Sequence, residues 1–88
     1  MSNISHLTKK LAAFISLKDE KTHEEIAAYI VGELLGDYEG RYKGLIDDNP
    51  DVARIADLAS DLEWSNGSSE QLASMWQELI ELIKNLNK

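Results

Sequence analysis

Cysteine is absent from this chain, so no disulfide staples it and no thiolate is available for chemistry, as befits a reducing compartment. Long apolar runs are absent too, since no stretch approaches the roughly 20 residues a membrane-spanning helix needs. The first residues, Met1-Ser2-Asn3-Ile4-Ser5-His6-Leu7, lack a charged segment leading into an apolar run, which argues against a secretory leader. A cytoplasmic protein with no membrane contact is expected. Positive charge is scarce: nine Lys and Arg stand against 16 Asp and Glu, for a net charge of −7. Residues 1–44 carry six bases and seven acids, whereas residues 45–88 carry three and nine. Such a field repels nucleic acid and anionic lipid and draws a basic partner toward the C-terminal half. It also serves plain solubility.

What is present is enough for one core. An 88-residue chain with 43% hydrophobic residues suits a single globular domain over residues 1–88. Every apolar pattern is helical. Leu7, Leu11, Phe14 and Ile15 line one face of a segment from Ser5 to Leu17. Thr22-His23-Glu24-Glu25 reads as a capping box that opens a second helix, with Ile26, Ile30 and Leu34 inward. Gly32, Gly36, Gly40 and Gly44 then recur every four residues. Each costs about 1 kcal/mol against Ala in a helix interior, yet Tyr38, Tyr42 and Leu45 extend the apolar stripe. The segment is either a continued helix or a turn followed by a short one. Tyr38 and Tyr42 either fill the core or present hydroxyls beside Arg41 and Lys43.

The clearest boundary is Asp47-Asp48-Asn49-Pro50, where Asn49 suits the N-cap and Pro50, the only proline, the first helical position. The helix that follows carries Val52, Ile55, Leu58, Ala59 and Leu62 inward and ends near Trp64. Ser65-Asn66-Gly67 reads as a turn, and Ser68 with Gln71 as another capping box. The last helix turns Leu72, Met75, Trp76, Leu79, Ile80, Ile83 and Leu86 inward. The expected fold is all-α, a compact antiparallel four-helix bundle with a bent or broken second helix.

Motifs of catalysis fail on their own terms. Asp47-Asp48-Asn49-Pro50-Asp51 starts like a calcium loop, but Val52 holds the glycine position and Leu58 the terminal glutamate. His23-Glu24 begins like a zinc-protease motif, but Ala27 holds the second histidine's place. No serine sits in a nucleophile elbow, and the glycine series lacks a following Lys-Ser or Lys-Thr. His6 and His23 read as exposed residues at helix starts. No catalytic residue, metal or cofactor is expected.

One constellation remains. Asp57, Ser60, Asp61 and Trp64 fall at i, i+3, i+4 and i+7, a single helical stripe away from the core face, with Arg54 at its border. Glu63 and the group Asp47, Asp48 and Asp51 enlarge the negative region. An aromatic ring among carboxylates suits a protein interface: an anchor for area, ringed by complementary charge. Alternatively Trp64 folds under the helix end and caps the core.

The helix Ile55 to Trp64, the short turn after it and the amphipathic helix Gln71 to Leu86 resemble small acidic immunity proteins of the colicin D and contact-dependent growth inhibition type. Length and acidity resemble that family too, while the glycine series has no counterpart in it. The resemblance implies a binding protein that covers the basic substrate surface of a nuclease toxin, carboxylates standing where phosphates would lie. Asp57, Asp61, Glu63 and Trp64 would be the contacts, supported by Asp47, Asp48 and Asp51. A helical adaptor, or a dimeric subunit of a larger assembly, is the other reading.

Overall fold

Local capping chemistry sets the helix boundaries. The computed structural model describes residues 3–36, 42–65 and 67–86, and among these it forms five helices and no strand. They are α1 (Asn3–Ile15), α2 (His23–Leu34), α3 (Lys43–Asp48), α4 (Pro50–Glu63) and α5 (Ser69–Leu86). At the start of α2 the Glu25 N–H donates to Thr22 Oγ1 at 3.2 Å, and the Thr22 N–H donates back to Glu25 Oε1 at 3.3 Å. The same reciprocal pair opens α5, from the Gln71 N–H to Ser68 Oγ at 3.2 Å and from the Ser68 N–H to Gln71 Oε1 at 2.8 Å. At α4, Asn49 Oδ1 accepts from the N–H of Asp51 and of Val52, and Pro50 occupies the first turn. Each cap satisfies backbone donors that a helix start would otherwise leave unpaired.

Two boundaries differ from the sequence pattern. Helix α1 lies two residues earlier than the apolar spacing suggests, and Leu17 belongs to the turn after it. There the N–H groups of Leu17 and Lys18 donate to the carbonyls of Phe14 and Ile15, three residues back, tightening the chain out of the helix. The glycine series is not one continuous helix. Helix α2 stops at Leu34, and the Gly36 N–H donates to the carbonyls of Val31 and Gly32. A Cβ at Gly36 would sit 2.7 Å from the Gly32 carbonyl oxygen, so glycine is needed for this ending. The short α3 follows, as the turn-and-short-helix alternative has it. Tyr38 and Gly40 lie outside the described residues. Tyr42 fills the core, and its hydroxyl donates to Glu33 Oε2 at 2.9 Å.

Helix α2 shares its largest contact with α4, and α4 also packs on α5 and α3, while α1 lies against α5 and α2. The buried residues form one cluster, with Leu7 and Leu11 from α1, Ile26 and Ile30 from α2, Ile55 and Leu58 from α4, and Trp76 and Leu79 from α5. Every core position read from the sequence that falls among the described residues is buried or half-buried. Burying each such side chain contributes about 1.5–3 kcal/mol. Alanines at positions 27, 56 and 59 are buried between the larger residues and let α2 and α4 approach closely. Thr8, polar and buried, donates its hydroxyl to the Ile4 carbonyl at 2.6 Å. The radius of gyration is 12.2 Å, close to the ~12 Å expected of a compact domain of this length.

Candidate functional site

With its apolar side turned to α2 and α5, α4 leaves its opposite side in water. Asp57 is exposed there, Ser60 and Asp61 are half-buried, and Trp64 is 72% exposed. The indole does not fold under the helix. Trp64 is the C-cap of α4, and Ser65 after it takes a left-handed φ of 52°, which turns the chain toward α5. This geometry leaves the ring in solvent at the end of the Asp57–Asp61 row. Asp61 and Glu63 stand in the last turn of α4, which carries no basic residue. Carboxylates there oppose the negative end of the helix dipole. The helix dipole gains nothing from them.

The acidic residues do not all share one direction. Asp51, Asp57 and Glu63 are each six residues apart, and six steps of about 100° turn the helix by ~240°. They therefore point in three directions about α4, and only Asp57, Asp61 and Trp64 line a common edge, with Ser60 beside it. Asp47 and Asp48 are exposed at the end of α3, and Asp51 stands in the first turn of α4. Asp51 there complements the positive end of the α4 dipole, so part of this group has a role in the helix itself.

Arg54 brings α5 to this surface. Its Nε lies 2.8 Å from Glu78 Oε2 and its Nη2 3.1 Å from Glu78 Oε1, a two-pronged bridge between α4 and α5. Its guanidinium is held above its ordinary pKa by the bond to Glu78, against a small cost of burial, and further by the fields of Glu78, Asp57 and Asp61. The Glu78 carboxyl is pushed below its ordinary range, chiefly by the bond to Arg54. Nothing in the sequence pairs these two residues: they are 24 positions apart, and each reads locally as an ordinary exposed charge.

Elsewhere His23, exposed at the first position of α2, stacks on Trp76 with ring centroids 4.1 Å apart and planes 13° off parallel. His6 is exposed in the first turn of α1. Among the described residues no group of three or more His, Cys, Asp or Glu is placed to hold a metal ion, and no helix is long and apolar enough to cross a membrane. No protein family, curated protein or solved structure matches this chain.

Proposed function

We propose that the chain is a cytoplasmic, non-enzymatic binding protein whose α4 face docks on a basic protein surface, and that it acts as an immunity protein for a nuclease toxin. The observation that carries the reading is Trp64, left 72% exposed beside Asp57 and Asp61. A ring of that size normally gains by burial, so its place in solvent is an anchor awaiting a partner. The acidic C-terminal half supplies the complementary field, and covering the toxin's basic surface excludes its nucleic-acid substrate by charge and by bulk. Helices α1, α2, α4 and α5 act as an antiparallel bundle that holds α4 rigid, with α3 as an added turn.

The test is a pull-down of the tagged protein from its native host: recovery of a basic nuclease domain, followed by affinity and nuclease-inhibition measurements, supports the reading, and recovery of only the protein itself counts against it. Asp57→Asn with Asp61→Asn is expected to weaken the complex without lowering monomer stability. Trp64→Ala is expected to cost more than about 1 kcal/mol of binding and to change unfolding free energy by no more than about 0.5 kcal/mol. A Trp64→Ala protein that unfolds more easily while binding normally would sink the assignment.

A second reading, a dimeric adaptor, draws on the exposed side of α2. Tyr29 and Leu35 are 38% and 52% exposed there, and a Cβ at Gly32 would meet nothing within 4 Å. Among the described residues nothing crowds the position of a Gly32 side chain. A second copy resting its backbone close on Gly32 would.

A further inference from the structure

We infer that the side chain received by the α4 face is an arginine. This rests on the docking surface proposed above and names the group that the surface holds. Trp64 follows Asp61 by three residues, so ring and carboxylate are neighbours on the helix surface. A guanidinium is flat: it can lie on the indole while its edge donates to the carboxylate. An ammonium is compact and strongly hydrated and offers no plane to stack.

The stripe's carboxylates are open to such a donor. Neither Asp57 nor Asp61 takes a hydrogen bond or ion pair among the described residues. The nearby cation, Arg54, is already committed to Glu78 through two bonds and reaches Asp57 and Asp61 only by its field. That bridge also shows the geometry in place on this surface: a guanidinium fork closed on a carboxylate between α4 and α5. An incoming arginine would repeat it one to two turns further along α4, with the ring of Trp64 beneath.

The experiment needs no natural partner. Labelled oligo-arginine and oligo-lysine peptides of equal length are titrated with the folded protein at low ionic strength, and binding is read by fluorescence anisotropy. The wild type is expected to prefer the arginine peptide by about two- to five-fold, the worth of an exposed cation–ring contact. Trp64→Leu is expected to bring the two peptides to equal affinity, and Asp57→Asn with Asp61→Asn to weaken both. Equal affinities in the wild type, or a preference that survives Trp64→Leu, would overturn the arginine assignment and leave the docking surface standing. A double asparagine variant that binds both peptides as the wild type does would remove the docking surface itself, and the inference with it. Circular dichroism of each variant checks that the substitutions leave the fold intact.

Discussion

Tyr42 closes its ring into the core yet keeps its hydroxyl on Glu33, so one side chain joins the start of α3 to the last turns of α2. Tyr42→Phe keeps the ring and removes the bond, and is expected to cost about 0.5–1.5 kcal/mol of stability in urea unfolding. Trp64 is the counterpart, a larger ring with no share in the core. The apolar spacing of α4 is silent on it, because at a helix end the chain can turn either way and the period no longer fixes a direction. Trp76 had no such freedom: six other inward positions of α5 repeat around it, and it is buried as the pattern requires. Its contact with His23 escaped the pattern. The two residues are far apart in the chain, and nothing local marks the stack.

The starts of α2, α4 and α5 were legible for the opposite reason: the residues that form each cap lie within three positions of one another. Thr22 with Glu25, Asn49 with Pro50 and Ser68 with Gln71 carry their partners with them, so the local sequence decides the geometry. The glycine series left two outcomes open because propensity and apolar pattern disagree there. Open space around Gly32 and a carbonyl 2.7 Å from any Cβ at Gly36 separate its members. Gly32→Ala is expected to stabilise the monomer by about 0.5–1 kcal/mol. Gly36→Ala is expected to destabilise it, since the ending of α2 must shift. Thermal unfolding of the two variants checks both signs. Loss of self-association in Gly32→Ala, seen by sedimentation, would favour the dimeric adaptor.

Charge acts on the whole molecule. The Glu78 carboxyl is depressed by Arg54, so its contribution to stability is complete above the ordinary carboxylate pKa and is lost as pH falls through that range toward the depressed value. Arg54 is raised, and its share is retained at every pH below its ordinary value, which covers working conditions. Urea unfolding at neutral pH and at about pH 3 is expected to show a smaller pH difference for Glu78→Gln than for wild type. The effect is modest because both side chains are about half exposed. Association with a basic partner is expected to slow as salt rises, since a charge of −7 steers only within the screening length. Stopped-flow rates over a salt series would show it.

The six-residue recurrence of Asp51, Asp57 and Glu63 puts only its middle member on the open side of α4, since the helix is packed on α2 and α5 and Glu63 is half-buried. On the proposed docking, Asp57 and Asp61 would draw a basic body to that one side without fixing its register. The indole at the end of the helix has one bearing only. In the proposed complex capture and registration would fall to different groups: the carboxylates would hold a loosely oriented visitor at the surface, and the exposed ring would fix its seat.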